Sequence, residues 1–475
     1  MTWEGGCDGQ DRDRRRRRHR GLAAAQALTQ TGWQVTLLEQ APEFGPVGAG
    51  ITLAPNAVRA LDQIGLGEQL RARGMAHGAA GLRTASGRWL LRTSVEELEQ
   101  RFGVPAFALH RADLHRMLAD AVPAASLRIG HRVTSASDDR DQATVAWQGP
   151  GGPGTASADL VVAADGVHSR LRAGLFPEHP GPAYAGYVTW RGLVPAQAAP
   201  ALRPAPAVTE TWGRGKRFGI VPLAGGQVYW WYATASLPEG AHADDHLADL
   251  GARHRGWHAP IPQLLQAIPL PALLRHDIYH LDTPLPRYVS GGGRVVLLGD
   301  AAHALTPDLR QGARLALEDA VTLAASANRQ ADVPAALAAY DQARRARTQR
   351  LVRVSAQFGR IAQWQGPLAA RLRDACRPHP GRRLPARQRR DPVVEPARSP
   401  GTRPTGTPDG DTRQAASLAP TAPVVPASGA PKLRRQTRPA RTTTRTVATP
   451  AGWKRSTAQS NLIARCGRRV WHGYA

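Results

Sequence analysis

Three observations predict an α/β fold for this chain. From residue 21 to about 375, apolar strand-like runs alternate with segments of helical periodicity. Two buried-strand runs, "DLVVAADG" (159 to 166) and "RVVLLGD" (294 to 300), each end in an aspartate–glycine turn pair. Between about 180 and 290 the texture changes to short aromatic and β-branched runs broken by Gly and Pro, which predicts an antiparallel sheet laid over the first part.

Taken in order, "GLAAAQALTQT" (21 to 31) reads as an alanine-rich helix, and "WQVTLLEQ" (33 to 40) as a strand ending in an acid. Together they make the second half of a βαβ unit. "NAVRALDQIGLGEQLRARG" (56 to 74) is a helix broken by glycines, and "RADLHRMLADAV" (111 to 122) is an amphipathic helix. "YVTWRGLV", "KRFGIVPL" and "QVYWWYAT" supply strands of the sheet. After "RVVLLGDAAHALTP" (294 to 307) come two helices, about 312 to 328 and 334 to 363. Beyond residue 375 periodicity stops, and a Pro, Arg, Thr and Gly tract with few large apolar residues is expected to be a disordered tail. The expected division is 1–20 (an aberrant or disordered basic segment), 21–175, 176–290 (a substrate-facing sheet), 291–375 with the C-terminal helices, and 376–475.

The net charge of +25 over 475 residues would normally raise nucleic acid or an anionic membrane as partner. Its distribution argues otherwise. Residues 376–475 carry 18 Arg and 2 Lys against 4 acids, and residues 1–20 carry 7 Arg against 4 acids, so the body between them holds only about +6. No nucleic-acid partner is expected for the body. Cys7, Cys376 and Cys466 also lie in those ends, so no disulfide framework, CxxC metal site or cysteine nucleophile operates in the body. No run approaches 18 apolar residues, and the arginine tract leads into an amphipathic helix with no signal-peptide core, so a soluble cytoplasmic protein without a membrane partner is expected.

Three separated segments ask for one ligand. Glu39 ends its strand about 20 residues after the position of a glycine turn, where a carboxylate can accept both hydroxyl protons of an adenosine ribose; taken alone, an acid at a strand end is more often merely solvated. In "DLVVAADGVHSRLR", Asp165 can cap the next helix, Gly166 permits close backbone approach, and Ser169 and Arg172 suit hydrogen bonding around a pyrophosphate or an interdomain strand. In "GRVVLLGDAAHALTPDLRQGARLALEDA", a strand delivers Gly299-Asp300, and a Pro-containing loop enters a helix N-terminus near Gly312, whose free N–H groups favour an anionic ring or oxygen.

The ordered combination of Glu39, "ALHRADLHRML", "AADGVHSRLR" and "LLGDAAHALTPDLRQGARLALEDA" resembles the single-component FAD-dependent aromatic-ring monooxygenases, the fold of para-hydroxybenzoate hydroxylase, over about residues 21–365. "PVGAGITLAPNAVRALDQIGL", "GYVTWRGLV" and "GRGKRFGIVPLAGGQVYWWYAT" look most like the branch holding FAD-dependent urate hydroxylase and the salicylate and 3-hydroxybenzoate hydroxylases. The resemblance implies a Rossmann-like FAD-binding domain with an interleaved antiparallel-sheet substrate domain. It also implies Glu39 at the adenosine ribose with Gln40 and Thr52 nearby, Arg111 and Asp300 toward the ribityl and pyrophosphate, the Val133 backbone at the adenine, Asp165 in the cofactor motif, and Gln311, Gly312 and Ala313 beside the isoalloxazine. Arg217 would pair with an anionic substrate, Tyr229 would contact its ring and Asp308 would lie close to flavin and substrate. Read by their residues alone, Arg217 is equally a solvated strand residue, Tyr229 a core aromatic and Asp308 a helix cap.

The chemistry so implied is hydroxylation of a small aromatic or purine-like anion by NADH or NADPH and O2, through a flavin C4a-hydroperoxide, with a homodimer among the expectations. It requires no metal and no nucleophilic residue, which matches the lack of HExxH or clustered His patterns. His303 in "GDAAHA" is a candidate base, but beside a phosphate-binding turn it reads rather as structural. The rival is a degenerate, non-catalytic relative whose basic ends bind nucleic acid or polyanions.

Two departures stand out. Arg16, Arg17, Arg18, His19 and Arg20 occupy the place of a GxGxxG turn, with only Gly21 present, and arginine cannot make that tight turn or close approach. If Asp13–Arg20 is encoded by GAT CGT CGT CGG CGC CGG CAT CGG, a one-base shift reads Ile-Val-Val-Gly-Ala-Gly-Ile-Gly, the missing strand and turn. The arginine run is therefore expected to be a frameshifted reading, which the nucleotide sequence decides, and the tail after 375 invites the same explanation. Arg310 is the second departure: the family has a small residue before its Gln-Gly, and a guanidinium there would crowd or polarise the flavin.

Overall fold

The computed structural model describes residues 19–375 apart from 44–48, 78, 94–102, 199–206, 236 and 242–244. The arginine run before His19 and the tail after residue 375 lie outside the described residues, and with them the expectations of a displaced turn and of disorder.

Helix α1 (His19–Gln30) buries Leu22, Ala23, Ala24, Ala25, Ala27 and Leu28. Along the chain follow β1 (Leu37–Glu39), β2 (Gly50–Leu53), α2 (Pro55–Gln63), α3 (Gly67–Arg73), β3 (Met75–His77), β4 (Ala79–Thr84), β5 (Trp89–Thr93), β6 (Ala106–His110) and α4 (Arg111–Ala121). Then come β7 (Leu127–Ile129), β8 (Arg132–Asp138), β9 (Ala143–Gly149), β10 (Gly152–Ala158), β11 (Val161–Ala163) and α5 (Arg170–Leu175). The aromatic region gives β12 (Ala183–Val194), β13 (Ala207–Trp212), β14 (Lys216–Pro222), β15 (Val228–Thr234), α6 (His246–Arg253), α7 (Ile261–Gln266) and β16 (Leu274–His280). The last stretch holds β17 (Val295–Leu297), α8 (Asp300–His303), α9 (Gly312–Arg329), α10 (Val333–Ala362) and α11 (Pro367–Ala375).

The first layer holds two parallel pairs, β1 with β7 and β11 with β17, flanked by two three-stranded antiparallel sheets, β10-β9-β8 and β2-β6-β3. Helix α1 starts between the two pairs: a Cβ placed on Gly21 would lie 3.6 Å from Leu37 Cδ1 and 3.9 Å from Ala164 Cβ. Helix α1 packs along α9, whose buried Ala320 and Ala324 belong to the same core as Leu22, Ala23, Ala24 and Ala27. This core continues through Leu53, Leu61, Leu114, Met117, Val296, Leu297 and Tyr340.

The second layer is a seven-stranded, mostly antiparallel sheet in the order β16-β12-β15-β14-β13-β4-β5. It takes two strands from before residue 100, because β4 pairs parallel with β13 from Ala79↔Ala207 to Thr84↔Trp212. Period-two alternation divides its faces. Val188, Trp190, Phe218, Ile220, Trp230 and Tyr232 form an aromatic core that packs with Leu250, Ile261, Leu264 and Leu265 of α6 and α7. The opposite face, carrying Tyr187, Thr189, Arg191, Tyr229 and Trp231, turns toward the parallel half. Among the described residues, no helix is long and apolar enough to cross a membrane.

Candidate active site

A cavity of about 250 Å3 lies between the two layers. Its floor is Asp300, Leu305, Pro307, Asp308, Arg310 and the first turn of α9; its roof is the inner face of the sheet. Thr52, Arg111, Arg217, Tyr229, Asp300, Asp308, Gly312 and Ala313 all line it, so the residues expected for cofactor and for substrate share one space. Glu39, Gln40, Val133, Asp165 and Gln311 are not on its wall.

The floor is positioned by a buried ionic knot. Gly299 sits at φ 63°, a left-handed turn that turns the chain from β17 into α8. Its N–H donates to Asp319 Oδ2 on α9 (3.0 Å), and the same carboxylate accepts from His303 Nε2 (2.6 Å) and Arg344 Nε (2.7 Å). Burial alone would raise the Asp319 carboxyl, but His303 and Arg344 outweigh it and hold it down to about 2. His303 is thus structural, as its sequence context suggests. Arg172 ties the two motifs together: Nη1 donates to the Ala301 carbonyl (3.1 Å) and Nη2 to the Val167 carbonyl (2.6 Å), while Ser169 caps α5.

The roof carries a second buried network. Arg217, 1 % exposed, donates from Nε to Glu210 Oε1 (2.7 Å) and from Nη1 to Asp308 Oδ1. Asp308 Oδ2 accepts from the Tyr187 hydroxyl (2.8 Å), and Glu210 also accepts from Trp212 Nε1 (2.6 Å) and Arg310 Nη2 (3.0 Å). Burial and the neighbouring Asp308 carboxylate push the Tyr187 phenol well above its usual range, so it stays a donor. Arg217 is therefore no solvated strand residue, and Asp308 caps no helix: its carboxylate serves Arg217 and Tyr187. Tyr229 is both buried and on the wall, its ring lying against Gly50.

The remaining expected residues are placed as follows. Glu39 ends β1, and its Oε1 accepts the Ala41 N–H (2.9 Å); Gln40 is exposed. Thr52 faces Arg314, whose Nη2 lies 3.4 Å from the Thr52 hydroxyl, and burial pushes the Arg314 guanidinium down to about 9. Val133 stands at a register shift between β8 and β9, half-buried against the main core. Asp165 Oδ2 accepts the N–H groups of Arg170 and Leu171, which makes it a helix cap. Gln311 precedes α9 and accepts from Asn56 (3.4 Å).

The cradle fits FAD over its flavin and ribityl half. An 18-residue helix opens at Gly312 onto the cavity, and beside it Arg111 offers a cation and Asp300 an acceptor that is at present paired with Arg20. At the first turn of α1, His19 and Arg20 are buried on the same wall, and Arg20 Nη2 lies 2.5 Å from Asp300 Oδ2. Burial and the neighbouring Arg111 depress the His19 imidazole well below its usual value.

Local pattern gave no notice of Glu210 and Tyr187, although Glu210 sits in the buried register of β13 between Val208 and Trp212, where an acid implies a buried cationic partner.

The profile of the FAD binding domain family matches residues 19–355. The aurachin C monooxygenase/isomerase of Stigmatella aurantiaca is 37 % identical over 380 residues, 78 % of this chain and 94 % of that protein. The 3-amino-4-hydroxybenzoate 2-monooxygenase of Streptomyces cremeus is 38 % identical over 306 residues, 64 % of this chain and 75 % of that protein. The crystal structure of Klebsiella pneumoniae HpxO complexed with FAD and uric acid superimposes with a TM-score of 0.69 at 33 % identity, covering 75 % of this chain and 89 % of that one.

Proposed function

Since the chain belongs to the FAD-dependent aromatic-ring monooxygenases, we propose that it hydroxylates a small electron-rich aromatic or heteroaromatic anion, with NADH or NADPH as electron source and O2 as oxidant. The observation that carries this reading is the single cavity that joins Arg111, Asp300, Gly312 and Ala313 to Arg217, Tyr229 and Asp308.

Bound FAD supplies the redox chemistry and the activation of oxygen. Asp300, Arg111, Thr52, Gly312 and Ala313 would hold its flavin and ribityl half, with Gln311 behind the ring; Glu39, Gln40 and Val133 would serve the adenosine side, and Asp165 would support the cofactor motif by capping α5. The protein's own task is to bind and orient the ring and to keep water out. Tyr229 and Trp231 offer flat faces on the roof, and Ile51, Val221, Leu305 and Ile278 make an apolar wall. Arg217, held rigid by Glu210 and Asp308, fixes the geometry of the roof, and with Arg310 it leaves that buried cluster close to neutral beside the ring.

The test is purification of the full chain with FAD, followed by NAD(P)H oxidation and product identification with urate, salicylate and 3-hydroxybenzoate. Yellow protein with substrate-stimulated oxidation and a hydroxylated product is the expected result. Flavin-loaded protein that none of the three stimulates sinks the substrate class. Colourless protein retained on DNA in a salt-sensitive way supports the non-catalytic rival.

A further inference from the structure

Five arginines line the cavity, and four of them are engaged: Arg20 with Asp300, Arg217 with Glu210 and Asp308, Arg310 with Glu210, and Arg111 with His19. Arg191 differs. Half-buried on β12, it makes no hydrogen bond or ion pair with any described residue. Two residues away on the same face, Thr189 is 2 % exposed and lines the cavity, yet its hydroxyl has no hydrogen-bond partner among the described residues. A buried hydroxyl left unpaired costs free energy, so in a native site it marks a place where a ligand atom completes the bond. Here a half-buried cation stands two residues along the same face and lines the same cavity.

The surroundings narrow the ligand. Trp231 stands directly across β15 from Arg191, and Ala233 and His276 flank Thr189 in the adjoining strands. Arg217 and Arg310 approach the Trp231 ring to 5.2 and 5.6 Å, so a planar ring in the cavity would lie beside it, and a substituent pointing along β12 would reach both groups. A guanidinium binds a carboxylate through two parallel N–H···O bonds, and such an oxygen still has a lone pair for a hydroxyl. Arg217 cannot take this role as readily, because two carboxylates already occupy it.

We infer that Thr189 and Arg191 form an anion subsite for the substrate's carboxylate, so that the preferred substrate is a hydroxylated aromatic carboxylate. A purine whose negative charge is spread over its rings would fit this subsite poorly. The inference rests on the hydroxylase reading for calling this ligand the substrate.

Equilibrium binding of 3-hydroxybenzoate, phenol and urate to the full chain with FAD added, measured calorimetrically, tests the subsite apart from turnover. Wild-type protein is expected to prefer 3-hydroxybenzoate over both. In Arg191→Gln its preference over phenol falls about ten- to a hundredfold, the usual worth of a hydrogen bond to a charged group. Arg191→Lys recovers part of the preference, and Thr189→Val, nearly isosteric, lowers it severalfold. A preference unchanged in both Arg191→Gln and Thr189→Val, with their circular dichroism and melting matching wild type, overturns the subsite, as does tighter wild-type binding of urate or phenol. Arg191-dependent carboxylate binding without any turnover keeps the subsite and rejects the hydroxylase reading; turnover with an Arg191-independent preference does the reverse.

Discussion

Arg20 Nη2 lies 2.5 Å from Asp300 Oδ2, and both residues face the cavity where the ribityl and pyrophosphate of FAD are expected. The pair is mostly buried, with side-chain exposures of 6 % and 19 %. The Arg20 stem also lies on Gly299, where an added Cβ would come within 2.6 Å of Arg20 Cδ. The cofactor must therefore break a buried ion pair and displace a long side chain, which opposes binding although the guanidinium attracts phosphate. Arg20→Gly is expected to tighten FAD binding about tenfold or more in a flavin fluorescence titration. Weaker binding by the variant would make Arg20 a phosphate ligand and sink the idea.

Gly359 on α10 allows the Asp308 carboxylate to lie against the helix; a Cβ there would come within 2.4 Å of Asp308 Oδ2. That carboxylate cannot swing away, since Arg217 and Tyr187 hold both of its oxygens. Gly359→Ala is expected to destabilise the protein by about 1–3 kcal/mol, as overpacking does, despite alanine's better helix propensity. Urea unfolding reads the sign: a variant more stable than wild type would mean that Asp308 moves freely.

Helices α1, α4, α9 and α10 were legible because each repeats buried positions at helical spacing, and their observed bounds differ from the sequence expectation by a residue or two. The strands of the parallel half were overextended. "WQVTLLEQ" is apolar enough for a long strand, yet β1 pairs only over Leu37–Glu39, because pairing to β7 decides what becomes strand. The entry of β4 and β5 into the substrate-facing sheet rests on a pairing between residues some 130 apart, which no local pattern announces. In the site, Arg217, Tyr229 and Asp308 were legible as candidates from their motifs. Tyr187, Thr189 and Arg191 also lie inside a quoted motif, "GYVTWRGLV", but neither their roles nor that of Glu210 could be read there, since these depend on which partners the fold brings to them or leaves out.

His254 gives a pH dependence with a definite sign. Its ring is 1 % exposed, packed edge-on against Phe218, Tyr232 and Trp257, with Nδ1 donating to the Leu250 carbonyl at 2.7 Å. Burial pushes its pKa down to about 4. Below about 6.5 the unfolded chain takes up the proton and the folded one does not, so this site's stability is complete above that pH and falls as pH drops toward 4. The loss reaches about 2 kcal/mol at pH 5. Comparing urea midpoints at pH 7 and pH 5, His254→Asn should lose less than wild type by about that amount. Equal losses in the two proteins would place the titration elsewhere.

Arg310 separates backbone strain from charge. It is the non-glycine residue with positive φ among the described residues, at 55°, where a side chain costs roughly 1 kcal/mol relative to glycine. Its guanidinium reaches Glu210 at 3.0 Å and lies 5.6 Å from the Trp231 ring, with about a fifth of the side chain exposed. Such a partly exposed pair contributes about 1 kcal/mol at most. Arg310→Ala loses the pair and keeps the strain, whereas Arg310→Gly loses both. Stability should therefore fall by about 1 kcal/mol in the alanine variant and stay within about 0.5 kcal/mol of wild type in the glycine variant. Glu210 keeps Arg217 and Trp212 in either case, so its buried charge is never left alone. Equal urea midpoints for the two variants would show that the left-handed turn is unstrained, and the small residue that the family carries at this position would then need an explanation from space beside the flavin.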